Sequence, residues 1–487
     1  MTLAQFLTHP PVQLGPIGPE LVLAGAAVVV LLGAAFNPRI EHSLLLAMSL
    51  LGVVGAAAVS IGLWDWSGDL TVLAGMVSTD RFAVVARLLL LGIAAMGLVY
   101  GYHYFQRSGE ARAEFYPLVL FATSGMTLIA AAADLILVFL ALEILSLSLY
   151  VLTGISARLS SVEGSMKYFL LGAFSSAFFL YGVAMAYGAT GSTRLSAIAH
   201  ALSGQTGSLG LALAAVAFLG IGFGFKVSAV PFHMWTPDVY QGAPTPVTAY
   251  MAAGTKVAAF AALIRVLETS FQPLTLDWIP LVWTIAAVTV VAGSLIAIAQ
   301  TDIKRMLAYS SIAHAGFVLI ALTAAGQDGI SAALFYLLAY ALMVLGAFGV
   351  VMLVSARGEG RTSLSSYAGL YRRSRLLAAL LTLFLLSLAG IPPTAGFIAK
   401  VNVFRAAVAA GHWPLVLVGV LASVVAAFFY IRVMVLMYMQ EPQDDGEPDR
   451  SPWQRAAVAV LAVLTLLFGV FPGVVLGVLD KAAILRW

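Results

Sequence analysis

Four ionisable residues stand in runs that hydrocarbon would be expected to surround. They are Glu143 in DLILVFLALEILSLSLYVL, Lys226 in GIGFGFKVSAVPFHMW, Lys256 in AYMAAGTKVAAF and Lys400 in GIPPTAGFIAK. An ammonium at mid-bilayer costs roughly 2.5–3.5 kcal/mol on insertion scales, so a chain that keeps several of them is using the charge. A carboxylate or amine removed from water must find a counter-charge or change its protonation. The chemistry such residues offer is proton transfer. Glu143 shares its run with no basic residue, and Lys226 is the expected partner, the two titrating as a pair. Lys256 lies mid-run among small residues that admit close helix contacts and water, which suits loading and release of a proton near neutral pH. Lys400 offers the same, unless its helix ends early and it snorkels to the interface. The plainer alternative for the Glu143–Lys226 pair is that it only holds helices together.

Histidine titrates near neutrality and relays protons readily. His314, in AYSSIAHAGF beside Ser310 and Ser311, is either such a relay or a group hydrogen-bonded between helices. His233 follows Pro231, where it either gates a water mouth or caps a broken helix. Pro231, Pro392 and Pro393 mark two helix breaks, because a proline inside a membrane helix frees carbonyls that only protein or water can satisfy. Other chemistries lack their residues. GIGFGF lies inside an apolar run and is no phosphate loop, and there is no Walker motif, no dinucleotide fold and no pair of mid-helix histidines suited to haem. With no cysteine, the chain has no disulfide, iron–sulfur ligand or thiolate metal site. It can move protons or ions but cannot run redox chemistry or hydrolyse ATP.

These residues are set in 487 others, of which 61% are hydrophobic and only 10% charged. A mean hydropathy of +1.00 identifies a membrane protein. The net charge of +3 comes from few groups and does not argue for nucleic acid. The stretch MTLAQFLTHPPVQLGPIGPE lacks the basic start of a cleaved signal, so the first apolar run is expected to remain as a span.

Hydropathy in windows of about 20 residues predicts an all-α polytopic protein of about fourteen transmembrane helices. They fall at 17–36, 43–63, 82–105, 115–133, 134–152, 166–188, 210–230, 247–267, 278–299, 307–325, 330–355, 376–400, 415–439 and 456–478. Loops after odd-numbered helices hold Arg39, Arg107, Arg112, Arg158, Lys167, Lys304, Arg305, Arg357, Arg361, Arg372, Arg373, Arg375, Arg450 and Arg455. Loops after even-numbered helices, with the C-terminus, hold only Arg81, Arg194, Arg265, Lys481 and Arg486. The positive-inside bias therefore puts the odd loops in the cytoplasm and both termini outside. Arg87, Arg265, Arg405 and Arg432 are expected to face interfaces or buried acids. Lys226 precedes its proline and Lys400 follows its pair, five helices later. A repeat of five helices reverses direction in the membrane, so two inverted repeats, each with a discontinuous helix, are expected. Coincidental kinks in a long bundle are the alternative. The division is 1–114 for a three-helix segment, 115–270 and 271–440 for the repeats, and 441–487 for the last helix.

At these residues the sequence resembles a known family. KVSAVPFHMWTPDVYQGAPTPVTAYMAAGTK (226–256), QTDIKRMLAYSSIAHAGF (300–317) and MKYFLLGAFSSAFFLYG (166–182) are similar to motifs of the antiporter-like subunits of respiratory complex I. The resemblance is nearest to the N type of bacterial NADH–quinone oxidoreductase. It implies a fourteen-helix fold and a proton path through Glu143, Lys226, Lys256 and Lys400. A lysine at position 400 separates the chain from the M-type relative, which is similar but carries glutamate there. The L-type relative is longer, with a lateral helix. The resemblance also implies M-, K- and L-type neighbours in the bilayer, the last through that lateral helix. NADH, FMN, iron–sulfur clusters and quinone are implied on or between other subunits, with no cofactor or metal in this chain.

Two other readings stand beside a proton-translocating subunit of complex I: a subunit of a cation/proton antiporter or membrane-bound hydrogenase complex, and a purely structural membrane subunit. The cation count itself is testable in the bacterial inner membrane. Cysteines introduced near Thr2 and Arg486 into this cysteine-free chain are expected to react with a membrane-impermeant reagent on intact cells or spheroplasts. Protection at both positions would invert the topology.

Overall fold

A computed structural model describes residues 14–37, 39–66, 75–110, 112–355, 358–443, 446, 448–449 and 451–485. Thr2 and Arg486 lie outside the described residues. The helices in order are α1 (Gly18–Phe36), α2 (His42–Gly62), α3 (Arg81–Ser108), α4 (Phe115–Ala131), α5 (Leu135–Gly154), α6 (Leu159–Thr190) and the short α7 (Leu195–Ser203). Next come α8 (Leu209–Val227), α9 (Trp235–Gly242), α10 (Thr245–Arg265), α11 (Thr275–Ile298), α12 (Ile303–Leu322) and α13 (Gly326–Ser355). The remainder are α14 (Leu370–Arg373), α15 (Arg375–Ala389), α16 (Ala395–Ala409), α17 (Trp413–Met439), α18 (Pro452–Val470) and α19 (Gly473–Ala482). Among the described residues twelve helices are long and apolar enough to cross a membrane alone; α4 and the broken pair α15–α16 bring the spans there to fourteen. The seventh span is likewise broken, into α8 and α9.

Local chemistry sets many of the ends. Asp80, Asp134, Asp302 and Ser374 accept a backbone N–H in the first turns of α3, α5, α12 and α15. The centre of the bundle is the antiparallel pair α10 and α13. All 21 residues of α10 are buried, and α13 is buried along nearly its whole length. Ionic ties join the N-terminal helices to each other and to this pair: Arg87 meets Glu20 between α3 and α1, and Arg265, at the end of α10, grips Asp80, the cap of α3, with both terminal nitrogens.

The inverted repeats carry a backbone signature. Leu135 N–H bonds the carbonyl of Thr193, and Leu195 N–H bonds that of Ala133, at 2.9 and 3.0 Å. Five spans later Ile303 N–H bonds Thr362 and Leu364 N–H bonds Thr301, both at 2.8 Å. In each case the strand-like bridge ties the start of a repeat's second helix to the loop between its third and fourth. The first bridge lies at an even loop and the second at an odd loop, hence on opposite membrane faces. The discontinuous helix is the fourth of both repeats.

Three elements depart from the sequence expectation. The sixth helix begins at Leu159 rather than 166, because its polar first turns pack on α9, with Ser161 Oγ donating to the carbonyl of Gly242 at 2.7 Å. The last apolar run, expected as one helix over 456–478, breaks between α18 and α19 at Phe471 and Pro472, where proline offers no N–H. Lys304, counted among loop cations, has a fully buried side chain at the start of α12.

Close approach of α11 to α12 depends on two glycines. A Cβ on Gly293 would lie 2.6 Å from Ala313 N, and one on Gly316 would lie 2.8 Å from Val290 N. Small residues at such crossings let membrane helices pack backbone to backbone. Gly316→Leu is therefore expected to destabilise the bundle by about 1–3 kcal/mol or more. The check is the amount of folded protein surviving detergent extraction; an undiminished yield would refute the packing assignment.

Candidate functional site

The two helix breaks create the site. In the first, α8 stops at Val227 and Ser228 turns into the left-handed region (φ 63), which points the last carbonyls of α8 into the bundle. In the second, Gly390 (φ 85) ends α15 five residues before α16 begins at Ala395. Carbonyls at a helix end in hydrocarbon need donors, and the negative end of the helix dipole favours a cation. Lysine supplies both. Lys256 Nζ, from α10, bonds the Val227 carbonyl at 2.8 Å, and Lys400 Nζ bonds the Ala389 carbonyl at 2.8 Å. Lys400 does not snorkel: α16 continues to Ala409 and leaves the side chain buried mid-span.

Lys226, in the last turn of α8, differs from its expected arrangement. Its Nζ bonds Ser146 Oγ of α5 at 2.8 Å and lies 5.5–5.8 Å from the rings of Phe225, Tyr150 and Tyr168. Glu143 sits one helical turn away, half-buried, and accepts a hydrogen bond from Ser176 of α6. No direct Glu143–Lys226 ion pair forms among the described residues; serine stands between them on the helix. The carboxylate still faces the ammonium's neighbourhood, because residues three apart share a helix face.

His314 is buried within α12 and belongs to a hydroxyl network. Tyr336 OH is 2.7 Å from its Nδ1, and Tyr430 OH is 3.4 Å from its Nε2. The flanking serines bond tyrosines rather than the histidine. Ser310 meets Tyr430, while Ser311 accepts from Tyr340 at 2.8 Å and lies 3.5 Å from Tyr240 OH. Tyr240 belongs to α9, so the network starts at the first break. On the other side Phe317 intervenes: its ring stacks near Tyr336, and Lys400 Nζ lies 4.7 Å from its centre. His233 is half-buried in the connection between α8 and α9, next to Pro231, which is exposed. Pro392 is exposed as well, and Pro393 with it.

Two polar cavities lie at opposite ends. One of about 460 Å³ opens at the odd-loop face and is lined by Lys167, Asp238, Gln241, Arg305 and Glu359. Asp238 bonds Lys167 Nζ at 2.8 Å and Arg305 at 2.7 Å, which ties α9 to α6 and α12. Glu359 is nearly buried beside it. Burial works against its charge, but the Lys304 ammonium and the Thr245 hydrogen bonds hold the carboxyl below the usual range. The other cavity, about 210 Å³, lies at the even-loop face among Asp328, Ser331, Asn402, Arg405 and Asp480. Sequence reasoning missed Ser146, the tyrosines and both acid clusters; Asn402, a polar residue two places past Lys400, is a signal for the second cavity that the sequence reading did not take up.

Fold and site define an antiporter-type membrane bundle. A family profile described as "NADH:quinone oxidoreductase/Mrp antiporter, TM" matches residues 132–426. NADH-quinone oxidoreductase subunit N of Rhodococcus opacus (strain B4) is 44% identical, covering 99% of this chain and 98% of the relative. A chain in the structure of respiratory complex I from Thermus thermophilus with bound aureothin is 38% identical, with a TM-score of 0.79 over 94% of this chain and 98% of its own. A chain of the Mrp complex from Dietzia sp. DQ12-45-1b shares the fold, with a TM-score of 0.85 at 22% identity over 96% of this chain and 97% of its own. The chain belongs to the NADH-quinone oxidoreductase subunit N family.

If Glu143 and Lys226 act through α5, Glu143→Gln is expected to lower NADH-driven proton pumping while the complex still assembles. Ser146→Ala, which removes the acceptor of Lys226, is expected to do the same. Inverted membrane vesicles with a pH-sensitive dye report both, and wild-type pumping in an assembled Glu143→Gln complex would take Glu143 out of the path.

Proposed function

We propose that this multi-pass membrane protein is the proton-translocating N subunit of a bacterial NADH:quinone oxidoreductase, carrying protons through Glu143, Lys226, Lys256 and Lys400. The observation that carries the reading is the pair of lysines seated on the open carbonyls of two half-helices, with a buried hydroxyl and imidazole network nearby and polar cavities on opposite faces. A lysine in such a seat can lose a proton without losing its place. The neutral amine keeps two N–H donors, one of which still satisfies the carbonyl. Protons enter from the cavity beside Asp238, reach Lys226 and Lys256, and pass by the Tyr240–Ser311 contact, His314 and water to Lys400. Release follows through the cavity of Asn402 and Asp480. Ser310 and Ser311 orient the tyrosines, and His233 guards the opening at the first break.

In this reading quinone reduction takes place elsewhere. NADH, FMN, iron–sulfur clusters and quinone belong on other subunits, and this chain offers no thiolate to ligate iron. Neighbours of the M, K and L types flank it in the inner membrane, the L type through its lateral helix, and both termini face the periplasm. The chain is thus a translocase subunit without a redox centre of its own.

The deciding position is Lys256. Lys256→Met removes the titratable group but keeps a long flexible side chain, so packing survives. Lys256→Arg keeps a donor for the Val227 carbonyl yet releases no proton, since guanidinium stays protonated above about pH 12. Both are expected to fail in protons pumped per NADH oxidised, measured on assembled complex. Full pumping by the arginine variant would show that charge alone suffices and end the relay assignment.

A further inference from the structure

Two carboxylates that carry no proton in the proposed path sit at opposite ends of the central pair α10 and α13. Glu359, just beyond the C-terminus of α13, reaches the N-terminus of α10. It accepts from Thr245 N–H at 2.7 Å and from Thr245 Oγ1 at 2.8 and 2.9 Å. Glu268, in the π-helical turn that extends α10, reaches the N-terminus of α13 and accepts from Gly326 N–H at 3.0 Å. Each helix is thus followed by the residue that caps its antiparallel neighbour. Carboxylates are well placed at helix N-termini, whose open N–H groups and dipole favour a negative charge. The two caps together oppose sliding of α10 along α13 in either direction.

Glu359 is also a hub. Lys304 of α12 bonds it at 2.8 Å while donating to the Ala243 carbonyl at 2.6 Å; Tyr104 of α3 bonds it at 2.9 Å; and Arg158, at the start of α6, lies 3.9 Å away. Three elements, α3, α12 and the start of α6, thus meet the N-terminus of α10 at this one side chain. The axial position of α10 matters because Lys256 rides on it, and a hydrogen bond of 2.8 Å to Val227 weakens steeply with small displacements.

We propose that Glu359 and Glu268 are positioning residues for proton transfer, a reciprocal pair of caps that fixes the height of α10 and so holds the Lys256 ammonium on the end of the first half-helix. The proposal rests on the relay reading of Lys256. Neither carboxylate carries the proton itself; each acts through the backbone N–H it caps.

The experiment uses the assembled complex in inverted membrane vesicles, with protons pumped per NADH oxidised as the readout and the amount of complex measured separately on native gels. Glu359→Ala and Glu268→Ala are expected to lower the ratio, and Glu268→Gln to restore most of it, since glutamine keeps an oxygen for the capped N–H of Gly326. An unchanged ratio in the alanine variants, with or without less complex, assigns the carboxylates to folding alone and overturns the proposal. So does glutamine as impaired as alanine, which would make the carboxyl a proton carrier. If Glu359→Ala yields no complex, the Glu268 variants decide; if neither alanine variant assembles, the role is folding and the proposal fails. Lys256→Met in the same vesicles separates the two levels. Normal pumping there removes the relay reading, whereas impaired pumping beside normal alanine variants removes only the caps.

Discussion

A peptide carbonyl left open in hydrocarbon has to find a donor, and the architecture turns on the two places where this chain opens such carbonyls. Both breaks are answered by lysine, but from different sources. At the first, the amine comes from the next helix, α10; at the second, from the far half of the same broken helix. The same interaction settles why these charges are tolerated in the bundle. The open end of each half-helix supplies the negative potential that an isolated ammonium in a bilayer would lack.

Around this pair the bundle is arranged in shells. The innermost helices, α10, α12 and α13, are almost wholly enclosed, so the residues between the lysines are shielded from lipid. Ion pairs and carboxylate caps lie toward the helix ends. Tyrosine and serine hydroxyls, which both donate and accept, occupy the middle. That division suits a protein that must keep its interior dry enough to matter electrostatically and polar enough to conduct.

Much of this was legible in the residues. Apolar runs of the right length marked all fourteen spans, prolines marked both breaks, and the spacing of five helices between those breaks, an odd number, signalled inverted repeats. What stayed hidden needed the rotation of one helix against another. Hydropathy says that Glu143 and Lys226 share the interior, but not that Ser146, one turn along, takes the ammonium. Nothing in the residues around Tyr336, Tyr340 and Tyr430 sets them apart from other aromatics until His314 is placed among them. Lys304 read as a loop cation because its partner, Glu359, arrives from a distant loop. The kink at Pro472 was absorbed into a continuous run because its flanks are equally apolar.

Phe317 has a consequence of a different kind. A membrane that stores an electrochemical gradient tolerates no standing wire across it, and a continuous file of hydroxyls, imidazole and amines from face to face would short-circuit the store it fills. The phenyl ring that touches both the histidine cluster and Lys400 is the one link there with nothing to donate or accept. On the proposed path that ring stands as insulation in series, a gap that a proton crosses only by way of water.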